Sequence, residues 1–143
     1  MRILAIDPGE KRIGLAISDP TQTISTRFSV IVHESFALDL QRIYDVVTKN
    51  DVSLVVVGQA LDDDGYATPS SRRAAKFGQG LVDQYHIEVV YCDEAGTTNE
   101  AKQTAIDLGV RRKKRQGHLD DLAATILLQR YLDTRNNKEE RDQ

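Results

Sequence analysis

Three acidic positions in this chain have the setting that hydrolytic chemistry needs. Asp7 closes the apolar run Ile3–Ile6 and opens Asp7-Pro8-Gly9, a strong turn signal. Glu94, beside Asp93, follows the apolar stretch Ile87–Tyr91. Asp120 falls near the start of the last amphipathic segment, His118–Asp133. Carboxylates that arrive from separate elements are the hard oxygen donors preferred by Mg²⁺ and Mn²⁺. Two such ions about 4 Å apart can activate a water and stabilise the leaving oxygen in phosphodiester cleavage. Each acid also has a plain structural use: Asp7 to cap its turn, Glu94 to end a strand in solvent, Asp120 to complement a helix dipole. The weight of the reading lies on the three together.

Asp120 and Asp121 separate by helix geometry. Leu119, Leu122, Ala123 and Ile126 read as the apolar stripe of the last helix. At about 100° per residue, Asp120 lies at the edge of that stripe and Asp121 faces solvent, so Asp120 is the expected ligand. Immediately before comes Arg111-Arg112-Lys113-Lys114-Arg115, read as a basic loop. Such a run suits contact with a phosphate backbone; a solvated loop is the bland alternative. Arg12 joins these five as a candidate nucleic-acid-binding residue. Arg72, Arg73 and Lys76, on the helix after the acidic loop, either extend this patch or are ordinary surface charges, the second being the commoner case.

Other motifs are set aside. Asp62-Asp63-Asp64-Gly65 lacks the alternation of a calcium loop, and Ser71 stands where the bidentate glutamate belongs. Gly9 and Gly14 do not have dinucleotide-fingerprint spacing. Cys92, even with His86 or His118 in view, reads as a packing residue rather than a nucleophile.

Periodicity gives the elements that must position these acids. Ile3–Ile6, Arg12–Ser18 and Thr23–His33 read as three strands joined by short connectors. Phe36, Leu40, Ile43 and Val47 lie on one helical face. Leu54–Val57 is an unalternating apolar run, suited to a strand covered on both faces. Thr68-Pro69 is a helix start, and that helix runs to Tyr85. Ile87–Tyr91 reads as another buried strand. Thr97 and Glu100 have capping-box spacing, so a helix spans Thr97–Gly109. The order is β-β-β-α-β-α-β-α-α: an α/β chain whose later strands pair in parallel, giving a mixed sheet with helices on both faces.

The chain has 143 residues, the size of one domain. We assign residues 1–133 to that domain and 134–143 to a polar, disordered tail. The net charge of −3 excludes a protein that is basic throughout, and one cysteine excludes an intrachain disulfide framework. No apolar run approaches a membrane span, and Asp7 comes too early for a signal peptide. The expected setting is cytoplasmic.

Ile6-Asp7-Pro8-Gly9-Glu10-Lys11-Arg12-Ile13-Gly14-Leu15-Ala16 resembles the opening of the YqgF-like family of Holliday junction resolvases, related to bacterial RuvC. Val55-Val56-Val57-Gly58 with Asp64-Gly65 resembles its second motif, Asp93-Glu94 with Thr97-Thr98 and Glu100-Ala101 its third, and Leu119-Asp120-Asp121-Leu122-Ala123-Ala124 with Leu127-Leu128 its last. The resemblance implies a ribonuclease H-like fold, a five-stranded mixed sheet with its second strand antiparallel. It implies a Mg²⁺- or Mn²⁺-dependent nuclease with catalytic, metal-binding acids at Asp7, Glu94 and Asp120. The implied partners are branched DNA or the ends of small-subunit rRNA precursors, cut by a monomer or homodimer. The chain departs from the family at Ala95-Gly96, where a large residue is usual, at Gln59-Ala60 in place of leucine-proline, and at Tyr66 in place of serine. None of these removes a metal ligand.

Two rival readings have their own motivation. The altered residues after Glu94 suit a nucleic-acid-binding ribosome-maturation factor with little or no catalysis. The Asp-x-Gly turn also opens phosphate-binding ATPases of the actin and sugar-kinase type, but those enclose nucleotide between two lobes and this chain supplies one.

Overall fold

The computed structural model describes residues 1–62, 64–93 and 112–142, the last helix by its backbone alone over 112–120 and 139–142. β1 (Arg2–Pro8) and β2 (Arg12–Ser18) pair antiparallel. The turn between them is closed by the Gly9 N–H, which donates to the Arg12 carbonyl at 2.7 Å. A Cβ on Gly9 would lie 2.6 Å from that oxygen, so the turn accepts only glycine. β3 (Ser25–Val32) adds antiparallel to β2. The β2–β3 turn is held by Asp19, whose Oδ1 accepts from the N–H groups of Thr23 (2.8 Å) and Ile24 (2.9 Å) while Oδ2 accepts from the Thr21 hydroxyl. These bonds, that from Ile24 first, hold the Asp19 carboxyl well below the usual carboxylate range.

α1 (Phe36–Lys49) starts at Ser35, whose hydroxyl accepts from the Leu38 N–H. β4 (Val52–Gln59) returns parallel to β1. α2 (Pro69–Tyr85) starts with reciprocal Thr68–Ser71 capping and proline in its first turn, and ends at His86 in the left-handed conformation. β5 (Val89–Asp93) lies parallel to β4, and α3 (Arg112–Asp142) completes the described chain. The sheet order is β3-β2-β1-β4-β5, so β2 is the antiparallel strand inserted beside a parallel set.

Strand alternation divides the core. On one face Leu4, Ile6, Ile13, Leu15, Val55 and Val57 pack with Leu40 and Ile43 of α1 and with Ala74, Phe77 and Leu81 of α2. On the other, Ile3, Ala5, Ala16 and Val56 receive Ala124, Leu127, Leu128 and Leu132 of α3. Full burial of one such leucine contributes about 1.5–3 kcal/mol. Among the described residues, no helix is long and apolar enough to cross a membrane.

Three expectations are corrected. β5 is an edge strand with alternating half-exposure, and Tyr91 is 42% exposed; strand order, not composition, decides which apolar run ends up outside. Residues 112–115 belong to α3 rather than to a loop, because Arg and Lys are good helix formers. The segment after Asp133 continues the same helix to Asp142 instead of lying disordered. It has polar anchors: the Arg135 guanidinium donates to the Gln22 side chain (2.8 Å) and the Asn136 amide to the Gln22 carbonyl (3.2 Å). The helix expected over Thr97–Gly109 lies outside the described residues.

Candidate active site

Asp7 is the site residue whose surroundings are most complete. Ile3 and Ala5 face α3 while Leu4 and Ile6 face α1 and α2, so alternation puts Asp7 on the α3 face. It sits at the C-terminal end of β1, beside the end of β4. Its antiparallel partner across β2 is Gly14. On its other side Ile6 pairs with Val57, so Gly58 comes next along β4. The Asp7 carboxylate is therefore flanked by two residues without side chains. Ala5 and Ala16 continue this low floor under α3. Ligands gather at such C-terminal strand ends in open α/β sheets.

α3 approaches the same edge. Its residues touch the β2–β3 hairpin in sequence. Asp121 meets Arg27, Gln129 accepts from the Ser25 N–H (2.9 Å), and Arg135 and Asn136 meet Gln22. Arg27 is level with Ala16, and Ala16 with Ala5. Followed back from Asp133 toward Arg112, the helix thus heads for the sheet edge that carries Asp7. The backbone of Asp120 belongs to α3, one turn before the buried Ala124; its side chain lies outside the described residues.

Asp121 does not face solvent as its spacing suggested. Arg27 donates from Nε to Oδ2 and from Nη2 to Oδ1, both at 3.1 Å, and the Asp121 side chain is only 14% exposed. The reason is the rotation of the helix. The buried row is Ala123, Ala124, Leu127, Leu128 and Leu132, turned roughly 140° from the expected stripe at 100° per residue. Asp121 falls within the buried arc.

The remaining predicted residues are placed as follows. Glu94 and Arg111 lie outside the described residues; Asp93, exposed at the end of β5, pairs in register with Gln59. Arg12 is exposed at the start of β2. Arg112, Lys113, Lys114 and Arg115 occupy the N-terminal end of α3, where the first turn holds no acid.

Among the described residues no three acidic, histidine or cysteine side chains converge as a metal site. The part that is described suits a divalent ion. An acid stands on a floor of glycine and alanine at a strand end, and the elements leading to the other two candidate carboxylates run to the same edge. Farther along the sheet, a cavity of about 360 Å³ opens between β5 and α3, with Cys92, Asp93, Arg130 and Tyr131 in its lining. Burial pushes the Cys92 thiol up, against a smaller opposing effect of the Arg130 charge; such a thiol is a packing group, since the nucleophile is the thiolate.

Sequence reasoning missed Arg27 and His33, and weighed Arg73 and Lys76 only as surface charges that could extend the basic patch. Arg73 and Lys76 lie one turn apart on α2, but their meeting with His33 and the β1–β2 turn is long-range, so no local spacing could have shown it.

Comparison with known proteins agrees with this architecture. The family model described as "RuvX: Holliday junction resolvase" matches residues 1–134. A protein of Caldanaerobacter subterraneus subsp. tengcongensis named "Putative pre-16S rRNA nuclease" is 41% identical over 138 residues, covering 96% of this chain and 99% of the relative. A protein of the same name from Thermoanaerobacter pseudethanolicus is 34% identical over 96% of this chain and 100% of its own length. Among solved structures, Thermus thermophilus RuvC in complex with Holliday junction substrate superposes with a TM-score of 0.56 at 18% identity, over 94% of this chain and 96% of the other. The fowlpox virus resolvase with Holliday junction DNA gives a TM-score of 0.57 at 16% identity, over 94% and 98%. At such identities the likeness is one of fold.

Proposed function

The chain belongs to the RuvX family, described as Holliday junction resolvase, and from that premise we propose that it is a Mg²⁺- or Mn²⁺-dependent nuclease acting on structured nucleic acid. The observation that carries the reading is Asp7, set between Gly14 and Gly58 on the sheet face that α3 approaches. Asp7, Glu94 and Asp120 would hold the metal. A divalent ion there would supply activation of water and neutralisation of charge building on the phosphate. The chain's own part is placement. Gly14 and Gly58, both buried, put no side chain beside Asp7. Arg12 and the cations from Arg111 to Arg115 attract and orient the backbone.

Two substrate classes fit: the ends of small-subunit rRNA precursors, after the names of the relatives, and four-way DNA junctions, after the family description. Symmetric junction cutting needs two active sites and hence a dimer; trimming an RNA end does not.

The test is cleavage by the purified protein in Mn²⁺, Mg²⁺ or EDTA. A labelled four-way DNA junction and an RNA carrying a ribosomal precursor end are each run beside Asp7→Asn. We expect metal-dependent cutting that disappears in the variant, with the better substrate naming the class. Cutting that survives Asp7→Asn would remove Asp7 from the mechanism. Binding without any cutting would favour a maturation factor that holds nucleic acid without hydrolysing it.

A further inference from the structure

A second cleft, of about 130 Å³, lies at the turn that immediately follows Asp7, with Gly9, Glu10, His33, Phe36, Arg73 and Lys76 in its lining. It is far below the roughly 300–1,000 Å³ of sites that enclose a whole small organic ligand. Its size suits one small group of a larger molecule. Its chemistry is set by three cation-capable side chains, Arg73 and Lys76 one turn apart on α2 and His33 between β3 and α1.

These side chains are placed rather than loose. Arg73 is half-buried on α2, and neither it nor Lys76 forms an ion pair among the described residues. The Lys76 ammonium is held over the Phe36 ring, 4.6 Å from its centroid, a contact that fixes the head of a flexible chain. Nδ1 of His33 is bonded to Oδ2 of Asp39 at 2.5 Å, and Asp39 is fully buried at the start of α1. The Glu34 N–H donates to the other Asp39 oxygen at 3.3 Å. With Nδ1 committed to Asp39, Nε2 is the ring atom left for an outside partner. Glu10 is the one carboxylate in the lining, and it pairs with neither cation.

We propose that this cleft, on the α1–α2 side of the sheet end that carries Asp7 on its α3 side, binds a backbone phosphate of the nucleic-acid strand through Arg73, Lys76 and His33, where the strand rounds that end. The inference rests on the nuclease reading, because it is the strand passing Asp7 that would reach the cleft. Asp39 is a positioning residue that orients His33. Arg73 supplies a planar fork suited to two phosphate oxygens, and Lys76 a point charge.

The experiment measures binding of the labelled precursor-end RNA and of the labelled junction in EDTA, over a series of KCl concentrations. Arg73→Gln/Lys76→Gln is compared with Lys49→Gln/Lys138→Gln, which removes two exposed charges away from this turn. We expect the first pair to weaken binding about tenfold or more and to lower the slope of log affinity against log salt by about 1–2. The second pair should leave both unchanged. Arg73→Lys keeps the charge and should keep the slope, separating lost charge from lost packing. Unchanged binding in the first pair, or an equal loss in both pairs, would overturn the proposal. Cleavage by the unmodified protein is scored separately. Cutting with an unaffected slope defeats the cleft and leaves the nuclease standing, whereas a lost slope without cutting does the reverse.

Discussion

Arg27 on β3 grips Asp121 on α3 through two parallel hydrogen bonds of 3.1 Å, although the residues are far apart in sequence. The pair joins the edge strand to the helix at the residue next to Asp120. It therefore sets how α3 is rotated where the candidate carboxylate leaves the backbone. The arginine is 41% exposed, so most of its charge attraction is screened and its stability contribution is about 0.5–1 kcal/mol. Its larger role is alignment. Arg27→Ala should lower the melting temperature by only a few degrees but reduce kcat for metal-dependent cleavage by roughly tenfold or more. A fall in activity no larger than the stability loss explains would contradict this role.

The floor beside Asp7 makes a second prediction. A side chain at position 14 would stand opposite Asp7, where cross-strand Cβ atoms come about 4.5–5.5 Å apart. Gly14 is buried, so Gly14→Val should lower stability by about 1–3 kcal/mol through overpacking. It should cut metal-dependent cleavage by at least tenfold while nucleic-acid binding in EDTA persists. Normal cleavage by Gly14→Val would show that the space is not used.

Asp19 gives a pH dependence. Its carboxyl titrates well below the ordinary range in the folded chain, because the Ile24 and Thr23 N–H groups and the Thr21 hydroxyl bond to its charged form. A depressed folded value means stability that is present above the unfolded value, about 3.9, and lost as the pH falls through the folded one. Asp19→Asn should melt below the parent at pH 7, and the gap should close under acid conditions. A gap that stays constant from neutral pH to about pH 2 would count against the turn as its source.

The end of α3 yields a fourth. Removing residues 134–143 deletes the two hydrogen bonds to Gln22 and spares Leu132. Urea unfolding should show a loss of about 1–3 kcal/mol, at about 0.5–1.5 kcal/mol per bond. Removal from Leu132 onward should cost about 2–5 kcal/mol more, as for a buried leucine cut away. No change on the shorter truncation would mean that the helix end carries no stability.

The parts of this fold that could be read in the chain are those decided locally. Asp7-Pro8-Gly9 announced its turn, Thr68-Pro69 its helix start, and the i, i+4, i+7 spacing of Phe36, Leu40 and Ile43 its helix face. The face of α3 was harder. Leu122-Ala123-Ala124 and Ile126-Leu127-Leu128 offer apolar residues on adjoining rows, and the chosen row depends on the Ala5–Ala16 floor and on Arg27. The edge position of β5 depends on strand order, which Val89-Val90 cannot encode. For the candidate site, the placing of Asp7 at a strand end was legible from its turn. Asp120 could be singled out only by a stripe that proved to be rotated. The cleft at His33 escaped because the pairing with Asp39 and the approach of α2 exist only once the chain is folded.

The length of α3 has a consequence for encounter. At 1.5 Å per residue its 31 residues extend over roughly 46 Å, about twice the reach of the seven-residue strands beneath it. Its far end is clasped at Gln22, and its near end carries the cationic cluster. The molecule as a whole is negative, so a polyanion repels the bulk of it while drawing that one end. Such an asymmetry works like a compass needle. On the proposed nuclease reading it would turn the protein in the field of an approaching strand before contact is made, with the edge bearing Asp7 leading.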